Sequence, residues 1–202
     1  MIIKICGITS VEIAKLAEEA GATMIGFVFA ESSRKVTPEV ARTITRSLSS
    51  KIKTVGVFVN EEKEVIEEIA SFAGLDYIQL HGDESPAFAQ SITKPVIKAF
   101  SIDHVSDEIL QTYPAEFFLI DSPGTTYRGG SGNTFDWSRL EGRDFDREKF
   151  ILAGGLHAGN VRAAIEATRP RGVDVSSGVE TMGKKDPEKI ISFIKAVKAT
   201  DA

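Results

Sequence analysis

What most constrains this chain is a strand-then-helix alternation repeated eight times. Short segments rich in Val, Ile and Phe stand at Ile2–Cys6, Met24–Phe29, Lys53–Val59, Tyr77–His81, Val96–Phe100, Phe117–Asp121, Phe150–Ala153 and Gly172–Val175. They are mostly apolar, as strands covered on both faces are. Their starts recur roughly every 20 to 30 residues, the length of a compact βαβ repeat. Parallel strands need such crossovers. Two architectures satisfy the rhythm: a closed (β/α)8 barrel and an open doubly wound sheet. Periodicity alone does not separate them, but a count of eight favours closure of the whole chain, 1–202, into one (β/α)8 TIM barrel domain of the α/β class.

The segments between the strands carry helix signals. Val11–Ala20 places Ile13, Leu16, Ala17 and Ala20 on one face, with Gly21 as its stop. Asn60 is the expected cap of a helix whose first turn holds Glu61 and Glu62, favourable near a positive helix N-terminus. Its expected inner stripe is Val65, Ile66, Ile69 and Phe72, and Gly74 ends it. The last helix opens on Asp186-Pro187, a cap followed by proline at the first helical position. Ile190, Ile191, Ile194 and Val197 are its expected inner face. The weakest helix signal is the sixth, near Trp137–Leu140, where a turn or two is expected.

Composition narrows the function. The chain has 24 Lys+Arg against 29 Asp+Glu, a net charge of -5, without the basic excess of a nucleic-acid binder. A phosphorylated small molecule remains compatible, because backbone amides bind phosphate without net positive charge. The longest apolar run, Met24–Ala30, is seven residues, against the roughly 20 that a membrane span needs. No signal peptide is expected. Cys6 is the one cysteine, so no intramolecular disulfide forms, which suits a cytoplasmic protein. The three histidines are scattered and no Cys/His spacing suggests a metal site. No G-x-G-x-x-G follows the first strand, which argues against a dinucleotide cofactor.

In a barrel the active site lies at the C-terminal ends of the strands. There the first strand ends in Cys6, the fourth in His81 and the sixth in Asp121, and the eighth carries Asp174. Alternation turns Lys4, Cys6, Leu119, Asp121 and Asp174 inward, and Ile5, Phe118, Ile120, Val173 and Val175 outward. Each polar residue also has a purely structural reading. A lone cysteine is usually a small buried hydrophobe, His81 is able to cap a strand end, and Asp121 and Asp174 are able to cap helices. Asp174 is equally placed to pair with inward Lys4. Convergence on one mouth is what raises them together as a site.

Glycines add a second signal. Gly154 and Gly155 follow the seventh strand, and Ser176-Ser177-Gly178 follows the eighth. These are the loops where barrels commonly hold phosphate; ordinary tight turns are the alternative. The long loop after the sixth strand contains Gly124, Gly129, Gly130 and Gly132, and loops of that length are usually functional lids or disordered. Arg34, in the polar loop after the second strand, has the fork geometry to clamp a carboxylate. Beside Lys35 it also reads as an ordinary surface arginine.

Several stretches, taken in order, carry a resemblance. They are Lys4-Ile5-Cys6-Gly7-Ile8-Thr9, Gly26-Phe27-Val28-Phe29, Gly56-Val57-Phe58-Val59-Asn60, Gln79-Leu80-His81-Gly82 and Leu119-Ile120-Asp121. Later come Gly129-Gly130-Ser131-Gly132, Thr134-Phe135-Asp136-Trp137 and Gly172-Val173-Asp174-Val175-Ser176-Ser177-Gly178-Val179-Glu180. The ordered set resembles the phosphoribosylanthranilate isomerases of tryptophan biosynthesis over essentially the whole chain. The resemblance implies a (β/α)8 barrel without a cofactor that performs an Amadori rearrangement of N-(5-phosphoribosyl)anthranilate. It implies that the general base falls on Cys6, the general acid on Asp121 and the anthranilate-binding arginine on Arg34. The implied phosphate-binding amides lie around Gly154, Gly155, Ser177 and Gly178. His81, Asp174 and Gly130 are further expected substrate contacts, and a monomer is expected rather than a homodimer. One departure stands out: the family's arginine often follows a proline, and here Ser33 precedes Arg34. Barrel isomerases of other phosphoribosyl compounds resemble this chain less, because they carry Asp where Cys6 stands. A non-catalytic phosphate-ligand sensor on the same scaffold needs no acid–base pair.

Overall fold

The computed structural model describes residues 1–122 and 136–200. Eight parallel strands close into a barrel in sequence order. They are β1 (Ile2–Cys6), β2 (Met24–Val28), β3 (Lys53–Phe58), β4 (Tyr77–Leu80), β5 (Val96–Ser101), β6 (Phe117–Asp121), β7 (Phe150–Leu152) and β8 (Gly172–Val175). Closure is made by β1 pairing with β8, in a register that sets Lys4 opposite Asp174. The open-sheet alternative is thereby excluded. Each expected strand is present, with its C-terminal end within one residue of the expected position. Of the glycine-rich loop after β6, only Ser122 is described; Gly124, Gly129, Gly130 and Gly132 lie outside the described residues.

Helices α1 (Val11–Ala20), α2 (Pro38–Ser47), α3 (Lys63–Ala73), α4 (Pro86–Ser91), α5 (Asp107–Thr112), α6 (Val161–Thr168) and α7 (Pro187–Lys198) cover the barrel. Between β6 and β7 the described residues hold two 3-10 turns, Trp137–Leu140 and Arg147–Lys149, and no α-helix; the first lies where the weak signal stood. Two clusters result. Strand residues facing out, among them Ile5, Ile78, Phe118, Ile120 and Val173, pack against the helices. Met24, Val55, Ile97, Ala99, Leu119, Ile151 and Ala153 fill the barrel itself. The inside-outside alternation expected for β1, β6 and β8 is the one observed.

Three expectations about helices are corrected. Asn60 does not cap α3, which starts after Glu62. Asn60 instead sits at positive φ, and its carboxamide oxygen accepts from the Asp83 amide at 2.7 Å. It ties the loop after β3 to the loop after β4, and that tertiary bond wins over the local cap. The inner face of α3 keeps the expected Ile66 and the partly buried Ile69 but adds Ala70 and Ala73, two small side chains that let the helix sit close to the sheet. Phe72 is left 41% exposed, with the Arg42 guanidinium 4.5 Å above its ring. In α7 the buried stripe is Ile190, Phe193, Ile194 and Val197, a regular i, i+3, i+4, i+7 set, while Ile191 is 48% exposed. After β8 comes a short 3-10 turn, Ser177–Val179, and then an unexpected hairpin of β9 (Glu180–Thr181) and β10 (Lys184–Lys185).

Candidate active site

The C-terminal mouth gathers Cys6, Arg34, His81, Asp121, Asp174, Glu180 and Lys185. Its floor is the β1–β8 seam. Because Lys4 and Asp174 are register partners and both face inward, the fully buried Lys4 ammonium donates to Asp174 Oδ1 at 2.8 Å. Burial opposes the Lys4 charge, but Asp174 and Cys6 outweigh it and hold its pKa above the usual lysine range. Of the structural readings open for Asp174, helix cap or partner of Lys4, the pairing is realised.

Asp121 ends β6 with its side chain buried. Burial and the nearby Asp174 carboxylate push its pKa up to about 6, against the pull of hydrogen bonds from Ser122 and the charge of Lys4. One oxygen accepts from the Ser122 amide at 2.7 Å and the other lies 3.9 Å from His81 Nε2. His81 follows β4 directly, and its Nδ1 is 3.0 Å from the Gln79 amide nitrogen. Its loop is braced from outside the barrel. Lys98 of β5 donates to Glu84 Oε2 at 2.8 Å and to the Gly82 carbonyl at 2.7 Å. Glu84 in turn accepts from the amides of Asn60 and Gly82.

Cys6 ends β1 and is buried. Burial pushes its thiol up, Lys4 and Lys185 pull it down, and Asp174 pushes it up, leaving it above the ordinary value. Inward Lys4 therefore acts in the expected direction but does not overcome desolvation. Arg34 reaches the same mouth because Gly7 lacks a side chain. A Cβ at Gly7, which stands at φ +78°, would lie 2.6 Å from Arg34 Cδ. In place of the missing proline, the Ser32 hydroxyl accepts from the Arg34 amide at 3.1 Å, and the Val36 amide donates to the Val28 carbonyl. The Arg34 guanidinium is engaged by Glu180, Nε to Oε1 at 2.7 Å and Nη2 to Oε2 at 2.8 Å.

The two glycine loops meet. A Cβ at Gly178 would fall 1.8 Å from the Leu156 carbonyl oxygen, so only glycine permits this approach of the β8 loop to the β7 loop. Gly154 and Gly155, both at positive φ, lead from β7 into that contact, and Ser177 opens the 3-10 turn on its other side. Sequence reading missed Glu180, Lys185, Gln79 and the Lys98–Glu84 brace as parts of this region. The first two sit on a hairpin with no strong strand signal, and the brace faces the helices rather than the mouth.

A closed barrel with a buried carboxyl of raised pKa and a thiol at one mouth, beside paired glycine loops after β7 and β8, belongs to the class of (β/α)8 proteins equipped for proton transfer on phosphorylated small molecules. Comparison narrows the class. Residues 3–196 match the family model described as N-(5'phosphoribosyl)anthranilate (PRA) isomerase. The N-(5'-phosphoribosyl)anthranilate isomerase of Bacillus cereus is 51% identical over 195 residues, 95% of this chain and 96% of that one. The crystal structure of phosphoribosyl anthranilate isomerase from Thermotoga maritima superposes with a TM-score of 0.88 at 43% identity, covering 98% of this chain and 100% of that one; that protein is dimeric. A further phosphoribosyl anthranilate isomerase structure holds reduced 1-(o-carboxyphenylamino)-1-deoxyribulose 5-phosphate, with a TM-score of 0.82 and 41% identity over 98% of this chain and 100% of that one. The chain belongs to the N-(5'-phosphoribosyl)anthranilate isomerase family.

Proposed function

We propose that Asp121 and Cys6 are the general acid and general base with which this chain isomerises N-(5'-phosphoribosyl)anthranilate to 1-(2-carboxyphenylamino)-1-deoxyribulose 5-phosphate in tryptophan biosynthesis. The observation that carries the assignment is the Asp121 carboxyl, buried at the mouth with a pKa of about 6. At that pKa roughly a tenth of the carboxyls are protonated at pH 7, against about one in a thousand for an ordinary aspartic acid. The protonated group donates to the furanose ring oxygen and the ring opens to an iminium. Cys6 then takes the proton from C2′, giving an enolamine that becomes the ketone. Cys6 rests as the thiol, so the working form, protonated acid with ionised base, is a minor tautomer of the resting pair. Both steps are proton transfers within one substrate, and the proposed chemistry invokes no cofactor or metal.

Arg34 is assigned the anthranilate carboxylate, the Gly154, Gly155, Ser177 and Gly178 loops the phosphate, and His81 and Asp174 the sugar between them. The product analogue bound by a solved relative supports a ligand of this phosphorylated class. We expect a monomer, tested by sedimentation, with a dimer like that of Thermotoga maritima as the opposing outcome. Among the described residues no helix is long and apolar enough to cross a membrane. The lone cysteine and the biosynthetic role support a cytoplasmic location.

The deciding assay is turnover of freshly generated phosphoribosylanthranilate. Wild-type protein should convert it, and Cys6→Ala should lose about 10²-fold in kcat, the lower end for a positioned base, since solvent partly replaces it. An unchanged rate would remove Cys6 from the mechanism. Alkylation of Cys6 by iodoacetamide should accelerate with pH through a midpoint above that of an ordinary thiol, because burial holds the thiol protonated. Arg34→Ala should raise KM by about 10- to 100-fold with a smaller effect on kcat, as loss of a charge-assisted contact predicts. An unaltered KM would refute the carboxylate assignment.

A further inference from the structure

Arg34 is not simply an arginine in a loop. Its guanidinium has five N–H donors, and Glu180 takes two of them, the Nε edge and one on Nη2. Among the described residues the other three make no hydrogen bond, and two of them, one on Nη1 and one on Nη2, form the Nη1/Nη2 edge. A guanidinium offers two edges suited to bidentate carboxylate binding, so occupation of one leaves the other for a second carboxylate. Glu180 is itself fixed from behind. Lys185 is its register partner across the β9–β10 hairpin, and Lys185 Nζ donates to Glu180 Oε1 at 2.6 Å. Lys185 also donates to the Ser176 carbonyl at 2.9 Å, and the Ser176 hydroxyl donates to the Cys6 carbonyl at 3.2 Å. Side chains of Glu180 and Lys185 are only 6% and 5% exposed, so the pair is a buried strut and not a surface bridge. Arg34, Lys185 and Glu180 together carry one net positive charge, the complement of one substrate carboxylate.

We infer that Glu180 is a positioning residue for substrate recognition: it grips Arg34 by the Nε/Nη2 edge and thereby commits the Nη1/Nη2 edge to the carboxylate on the substrate's aromatic ring. The inference rests on the assignment of Arg34 as the carboxylate site. Glu180 acts through Arg34 and touches no reacting atom. It does not have to leave when substrate binds, because the two carboxylates use different edges. It also keeps Lys185 neutralised, so the cluster selects a monoanionic ring substituent without a surplus of positive charge that would hold any anion. The hairpin itself explains the arrangement: its tight turn at Met182 and Gly183, both at positive φ, brings residues 180 and 185 opposite each other.

The test measures KM and kcat for phosphoribosylanthranilate in Glu180→Gln, Glu180→Asp, Arg34→Ala and the Arg34→Ala/Glu180→Gln double variant. Glu180→Gln is expected to raise KM about tenfold while kcat changes less than about threefold, since the lost contact orients a binding group only. Glu180→Asp keeps the charge beside Lys185 but shortens the reach. It is expected to raise KM in the same direction, and it carries the test if the Gln variant fails to give a cooperative melt. In the Arg34→Ala background, Glu180→Gln should add less than about twofold, because residues acting as one unit are not additive. An unchanged or lowered KM in the Glu180 variants, or a full tenfold effect without Arg34, would overturn the inference. If Arg34→Ala alone leaves KM unaltered, the carboxylate assignment itself fails. If Arg34→Ala raises KM and the Glu180 variants do not, only the positioning role fails.

Discussion

Asp121→Asn should lose about 10³-fold or more in kcat, within the range a positioned acid contributes, and at the same time should melt higher than the wild-type protein above pH 6. The second effect follows from the same pKa that suits the first. In the folded chain the Asp121 pKa is about 6, against an ordinary 3.8. A raised carboxyl contributes full stability below its unfolded value and loses it as pH rises through its folded value. The ionised side chain therefore costs on the order of 3 kcal/mol at pH 8, from about two pKa units at 1.36 kcal/mol each. Asparagine carries no charge at any pH and keeps an oxygen for the Ser122 amide, which now lies 2.7 Å from the carboxylate. A gain of about 5 to 10 °C at pH 8 is expected, shrinking to near zero below pH 4. Thermal melts across pH, paired with turnover, check both halves. A dead variant that is also less stable at pH 8 would mean that the substitution damaged the barrel, and the acid assignment would lose its support.

Lys98→Met should cost about 3 to 5 kcal/mol, the penalty for leaving one partner of a buried ion pair uncompensated. Lys98 lies on the helix side of β5, and its ammonium bonds Glu84 Oε2 and the carbonyls of Gly82 and Leu80. Methionine fills the volume but leaves the Glu84 carboxylate in a buried site. Urea denaturation should show the loss. Adding Glu84→Gln should recover part of it, because the stranded charge is then gone. The loop held by this brace begins at His81, beside Asp121, so a drop in kcat should accompany the drop in stability. A variant as stable as wild type would show that the pair contributes nothing net.

The barrel was legible in the sequence because each strand announces itself. Eight apolar runs, with caps and glycine stops between them, leave little freedom in where strands begin and end. Helix faces were less legible. Phe72 and Ile191 are apolar residues at the edge of a helical stripe, and hydrophobicity alone does not say that Ala70 or Phe193 is the one turned inward. Asn60 had the right side chain to cap α3, but the loop after β4 offered it a better partner.

Of the site, sequence alone determined which residues stand at strand ends: Cys6, His81, Asp121 and Asp174 reach one mouth because alternation along parallel strands of a closed barrel leaves them nowhere else to point. It also determined the glycine positions after β7 and β8. The tertiary structure alone decided the electrostatics. That Asp174 meets Lys4 depends on the register across the β1–β8 seam, between residues 170 positions apart. Whether Cys6 ionises depends on the balance of burial against two lysines from different strands. The grip of Glu180 on Arg34 joins residues 146 positions apart through a hairpin with little signature of its own. Local pattern fixes where a side chain points, whereas its charge state is set by every neighbour within a few ångströms, and those neighbours come together only when the barrel closes.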